Sequence, residues 1–211
     1  MNLELLHHIL GYLAVGSSIL PTLVLLFKRG NSIPNYLKLY CIELFLINVT
    51  NLLLYAFTNI DQNNLFSIHL LVELTLIFLI FRLYSTVKLR RFYNLLLFVI
   101  ICVFGYSLSF SAEIRFSMFG LFCKLLLSFL SVFVIVNQYF KSEKDSLLID
   151  GVFIFSSGVL IYNGIQIYIT INYSLIKDQK FDLILMIWPI IQIGTVIYHI
   201  LISRALWILK S

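Results

Sequence analysis

Charge is scarce in this sequence. Only 12% of its 211 residues are Asp, Glu, Lys or Arg, against 61% apolar, and its mean hydropathy is +0.99. A water-soluble domain needs a largely polar surface, so this balance excludes an ordinary soluble fold and makes the bilayer the natural solvent. The net charge of +5 and the pI near 9.1 do not point to nucleic acid, because the basic residues stand at the ends of apolar runs rather than on one face. Cysteine is equally sparse. Cys41, Cys102 and Cys123 lie inside apolar runs with neither CxxC nor paired loop spacing, which argues against a disulfide framework or a zinc site and leaves them as small apolar side chains. The start of the chain has Glu4 where a signal peptide carries basic residues, and no small-residue cleavage site follows, so the first apolar run is expected to stay as a helix.

Signature motifs are missing too. There is no HExxH, GxSxG, P-loop or GxGxxG, and the SSG at Ser156 reads as small-residue helix packing. A retinal protein needs a lysine in mid-membrane on its last helix, and the last apolar run has none before Lys210. Zinc hydrolysis needs three ligands converging on one ion, whereas His69 and His199 are separated by roughly 18 Å of helix rise. Glu4, His7 and His8 share about one helical turn, too narrow a base for a metal site even with His69 nearby. No metal or cofactor is expected, and no reaction is specified.

What is present is a succession of apolar stretches, each near the ~20 residues that cross a bilayer as a helix. They run from Leu5 to Phe27, Asn35 to Phe57, Leu65 to Tyr84, Phe92 to Phe110, Phe116 to Phe140, Asp150 to Ile176 and Leu183 to Trp207, separated by short polar breaks. The expected fold is an all-α polytopic bundle of seven transmembrane helices, a single domain over residues 1–211. The positive-inside bias sets its orientation. Eleven basic residues (Lys28, Arg29, Lys38, Arg82, Lys88, Arg90, Arg91, Lys141, Lys144, Arg204, Lys210) fall on one side and three (Arg115, Lys177, Lys180) on the other. That puts the N-terminus outside and the C-terminus in the cytoplasm, in an inner (cytoplasmic) membrane. The KLRR run from Lys88 is explained by topology, with anionic lipid or a partner as its other use.

Ionisable groups deep in a bilayer are costly and mark functional sites. Glu73 and Lys124 each stand eight residues in from the outer ends of their runs, and Gln192 nine, which places all three roughly 12 Å deep. Asn48, Asn51, Asn163 and Gln166 fall in the same outer half, and His69 lies one turn above Glu73 on the same face. Eight polar side chains from five helices are thus expected in one depth band, as a ligand pocket or buried network. Interhelical hydrogen bonding that merely holds the bundle explains the four Asn and Gln residues of the second and sixth runs equally well; Glu73 with Lys124 is harder to dismiss, because a membrane-depth lysine lies level with a carboxylate that could neutralise it, although a structural ion pair stays open. Trp188, Gln192, Thr195 and His199 form a stripe on the last helix, near Pro189 and Gly194, where a kink is expected. Glu43 is placed below this cluster by the same arithmetic, and His199 lower still, near the inner end.

The stretches ELFLIN from Glu43, the pair Asn63 and Asn64, HLLVE from His69 and SSGVLIY from Ser156 resemble small seven-helix membrane proteins common in Bacteroidetes, a group largely without assigned activities. The resemblance spans most of the chain. It implies a seven-helix fold and a kinship with the membrane sensor parts of signalling proteins. The last helix departs from that pattern: Ile190 to Gly194, followed by His199, stand where the family has His-Ser and Asn.

The leading expectation is a receptor-like or sensor-like membrane protein that binds a small polar or amphiphilic ligand among His69, Glu73, Lys124, Asn48, Asn51, Asn163, Gln166, Trp188 and Gln192. Its partners are membrane lipid and a cytoplasmic or membrane protein that carries the signal. Two alternatives are an intramembrane enzyme acting on lipid, with His69 and Glu73 as an acid–base pair, and a transporter or oligomeric pore with Glu73 and Lys124 lining its path.

Overall fold

A computed structural model describes residues 3–27, 33–57, 63–85, 87–141, 150–177 and 181–209. Among them the regular elements are all α-helices, with no strand: α1 (Leu3–Ser17), α2 (Ile19–Phe27), α3 (Asn35–Phe57), α4 (Asn63–Leu83), α5 (Val87–Ser107), α6 (Ala112–Lys141), α7 (Gly151–Lys177) and α8 (Phe181–Ile208). Five stretches are long and apolar enough to cross a membrane: His8–Phe27, Leu89–Ser107, Ser117–Phe140, Gly151–Tyr168 and Ile187–Ile208. Their outer faces carry large apolar side chains in the open, such as Phe27 at 75%, Tyr106 at 69% and Phe140 at 81% exposure. Water would penalise such a surface, and acyl chains cover it without cost.

The helices overrun the apolar stretches that predict them. Ala112 to Arg115, read from sequence as a connection, form the first turn of α6, and Lys88 to Arg91 lie inside α5. A membrane helix continues into the headgroup region, where polar side chains suit the solvent, so its apolar length underestimates its helical length. The first run differs in another way. It is one apolar stretch but two helices, broken at Ser18. Pro21 has no N–H to give the carbonyl of Ser17, four residues back. The turn closes instead through Ser18, whose N–H reaches Val15 O at 3.1 Å and whose hydroxyl reaches the same oxygen at 2.6 Å.

The chain divides into two compact units, residues Met1–Ile33 with Ser128–Ser211, and residues Pro34–Leu127. In the first, α8 packs against α7, α1 and α2. The α7–α8 seam is close because glycines line it. A Cβ at Gly151 would stand 2.6 Å from Leu209 Cγ and 2.9 Å from the Ala205 carbonyl, and one at Gly194 would meet Ile165 Cδ1 at 2.6 Å. Between these points Tyr162 and Tyr198 stack with centroids 4.6 Å apart and planes 10° from parallel. Asp150 caps α7, its Oδ1 accepting from Val152 N at 2.8 Å and Phe153 N at 3.1 Å.

In the second unit, α4 packs against α3 and α5. Leu37, Tyr40, Cys41 and Leu44 form the buried stripe of α3, and Leu70, Leu74, Ile77, Phe78 and Phe81 that of α4. Both follow the three-and-four spacing of one helix face. Phe78 meets Tyr93 of α5 edge-on at 4.9 Å, and Phe104 of α5 meets Phe119 of α6 at 5.1 Å. Cys41 and Cys123 are buried in this core, whereas Cys102 faces outward, and all three are free thiols.

Candidate functional site

The buried stripes of α3 and α4 bring Glu43 of the one against His69 and Glu73 of the other. Positions 40 and 43 on α3 are one turn apart, as are 69 and 73 on α4, so each helix presents two polar side chains on its packed face. His69 Nδ1 bonds to Glu43 Oε1. The other ring nitrogen, Nε2, stands 3.8 Å from Glu73 Oε2. Tyr40 donates its hydroxyl to Glu73 Oε1 at 3.4 Å, and Lys124 of α6 attracts the same carboxylate. Imidazole therefore sits between two carboxylates, and a tyrosine and a lysine attend the deeper one. Glu73 is buried, and the side chains of His69 and Glu43 are each 16% exposed. With His69 protonated, two carboxylates face two cations, the balance that makes burying four ionisable groups tolerable. One atom is left over. Glu43 Oε2 is buried and has no hydrogen-bond partner among the described residues.

Of the residues singled out from sequence, His69, Glu73 and Lys124 thus meet in one cluster. Asn48 of α3 gives its amide to Leu44 O of its own helix at 2.7 Å, and the side chain of Asn51 lies outside the described residues. Asn163, Gln166, Trp188 and Gln192 belong to the other unit, on α7 and α8. Asn163 is buried and donates to Val159 O at 2.8 Å; the Gln166 carbonyl accepts from Thr170 at 2.8 Å. Gln192 is half-buried, and Trp188 is 40% exposed, so the stripe on α8 turns inward only toward His199. α8 stays helical through Pro189. Beside these residues Gly164, Ile165, Tyr168, Ile187 and Ile190 line an apolar cleft of about 250 Å³.

Two residues of weight were misplaced or missed. Depth arithmetic sets Glu43 below His69, yet the two are bonded. Glu43 is fourteen residues before the end of α3 and His69 six after the start of α4, a difference of about 12 Å of rise. The arithmetic assumes that both helices end on one plane; staggered ends and the reach of two side chains close the gap. Tyr40 carries no sequence signal of its own beyond its place three residues before Glu43 on the same face of α3. In the first unit, His199 is buried and its Nδ1 lies 2.7 Å from the hydroxyl of Ser17.

Among the described residues no group of three or more His, Cys, Asp or Glu is arranged to hold a metal ion. The charged cluster joins two hydrogen bonds, His69 to Glu43 and Tyr40 to Glu73, through the electrostatic contacts of Glu73 with His69 and Lys124, and Glu43 can accept one further donor. No protein-family model, curated protein or solved structure matches this chain.

Proposed function

We propose that the protein is a sensor-like integral membrane protein whose responsive centre is the Glu43–His69–Glu73–Lys124 cluster. The observation that carries this reading is the imidazole of His69 held between carboxylates on two helices, with a lysine of a third acting on one of them. Such a network has more than one arrangement of nearly equal charge, and a ligand that favours one arrangement shifts the helices that carry it. The ligand class is a small polar or amphiphilic molecule with a hydrogen-bond donor, since Glu43 Oε2 is a buried acceptor that no described residue partners. The reading includes seven spans, an outside N-terminus and a cytoplasmic C-terminus in an inner membrane, supported by the eleven-to-three split of basic residues. Output passes through a protein partner, because the connections between helices are short.

Spin labels at the exposed positions Ile68 on α4 and Met118 on α6 test this in nanodiscs. The probes are small primary amines, ethanolamine and short alkylamines. The expected result is a change in the label-to-label distance that Glu43→Gln and Glu73→Gln abolish and Lys124→Met weakens. A distance distribution unmoved by every probe, or moved equally in Glu43→Gln protein, removes the sensor reading. A second reading, proton-coupled transport, is favoured by an imidazole bonded to one carboxylate through Nδ1 and 3.8 Å from another at Nε2, so that a small approach would complete a proton relay. Proton entry into liposomes that His69→Ala eliminates would select it.

A further inference from the structure

The break between α1 and α2 places a hydroxyl where a nucleophile is made. Ser17 Oγ lies 2.7 Å from His199 Nδ1, across the packed α1–α8 pair and 182 residues away in sequence. Its single proton has two acceptors in reach, His199 Nδ1 and Ala14 O at 2.8 Å. In the tautomer protonated on Nε2, the imidazole takes that proton, which is the serine–histidine geometry of general-base activation. The ring does not wander: His199 is only 1% exposed and sits beside Tyr198, whose own ring stacks on Tyr162.

Access is also built in. Ser17 stands at the border between the buried stripe of its helix, Ala14, Ser18 and Pro21, and an exposed stripe of Leu13, Gly16 and Leu20. Beside Gly16 there is open space: apart from its chain neighbours and its own helix backbone, no described atom lies within 4 Å of where a Cβ would be. The exposed residues are apolar, so what reaches Ser17 arrives along a surface suited to acyl chains. Beyond the hydroxyl, the chain restarts as α2, and Pro21 has no N–H to offer the Ser17 carbonyl.

We propose that Ser17 and His199 form a nucleophile–base pair that accepts acyl groups from carboxylic esters presented by the lipid phase. Ser17 Oγ attacks the ester carbonyl carbon as its proton passes to His199 Nδ1. The carbon–oxygen bond to the alcohol then breaks, and the imidazolium returns the proton to that oxygen, releasing the alcohol and leaving Ser17 acylated. Water, activated by the same nitrogen, hydrolyses the acyl-serine to a carboxylic acid. This activity uses no residue of the charged cluster, so its failure leaves the sensor reading untouched.

The test is an alkyl fluorophosphonate added to the full chain in detergent micelles, with the adduct located by peptide mass spectrometry. The expected adduct is on Ser17. It should vanish in Ser17→Ala, fall about a hundredfold or more in labelling rate in His199→Gln, the lower range for loss of a general base, and persist in Ser18→Ala. Retained helicity and a monodisperse elution profile certify each variant as folded. No adduct on Ser17 in the unaltered protein, or labelling at the same rate in folded His199→Gln, overturns the proposal.

Discussion

Replacing His69 by leucine removes the group that separates two carboxylates, and the size of the loss follows from the geometry. At 3.8 Å and an effective dielectric of about 20, the His69–Glu73 attraction alone amounts to roughly 4 kcal/mol. Breaking a buried pair by removing one partner costs about 3–5 kcal/mol in measured cases. A second route bounds the same number. A stranded carboxylate escapes by taking a proton, and neutralising a carboxyl of ordinary pKa about 4.3 costs about 3.7 kcal/mol at pH 7 but only about 1 kcal/mol at pH 5. The penalty therefore shrinks as pH falls, because the proton that replaces His69 becomes easier to supply. His69→Leu should lose roughly 3–4 kcal/mol of unfolding free energy at pH 7 and about 1–2 at pH 5, measured by reversible unfolding in lipid–detergent bicelles. Adding Glu43→Gln to His69→Leu should recover part of the loss at pH 7, since one stranded charge is gone. A loss under about 1 kcal/mol at pH 7, or one that is equal at both pH values, refutes the claim that His69 neutralises buried carboxylates.

Other substitutions probe the frame around the site. Gly151→Val should cost about 1–3 kcal/mol, because its Cβ meets the Ala205 carbonyl at 2.9 Å as well as Leu209, and the same bicelle assay reads it. Gly164→Ala, with open space around it, should be neutral or gain up to about 1 kcal/mol in helix propensity. Asp150→Ala removes the cap of α7 and should cost about 1 kcal/mol, with faster hydrogen exchange at Val152 and Phe153 and little change elsewhere. Pro21→Ala restores an N–H that can reach Ser17 O, so α1 and α2 should move toward one continuous helix, visible as slower exchange across Ser18 to Thr22.

Much of this architecture is legible in the sequence because bilayer physics is blunt. Apolar runs locate the helices, but which face of α3 is buried is not legible, because Tyr36, Leu39, Ile42 and Leu46 on its exposed side are as apolar as Leu37, Cys41 and Leu44 on its buried one. His69 and Glu73, four residues apart, pair as a helix requires. What the sequence hides is of three kinds. Relative height between helices is not encoded locally, so Glu43 reads as belonging to a lower level than the histidine it bonds. Pairings across long separations leave no periodic signal either; nothing near His199 names Ser17, although Pro21 already marks the break that frees Ser17's carbonyl. Asn48 and Asn163 illustrate a third effect. An amide on a membrane helix finds its own carbonyl four residues back, so its depth does not imply a pocket.

Solid-state NMR of the protein in lipid, with ¹⁵N-labelled histidine and ¹³C-labelled glutamate carboxyls, tests the centre of the account most directly. A strong dipolar coupling between His69 Nδ1 and the Glu43 carboxyl carbon, lost in Glu43→Gln protein prepared with the same labels, is the predicted result. A His69 ring that couples to no glutamate carboxyl in the unaltered protein would contradict it.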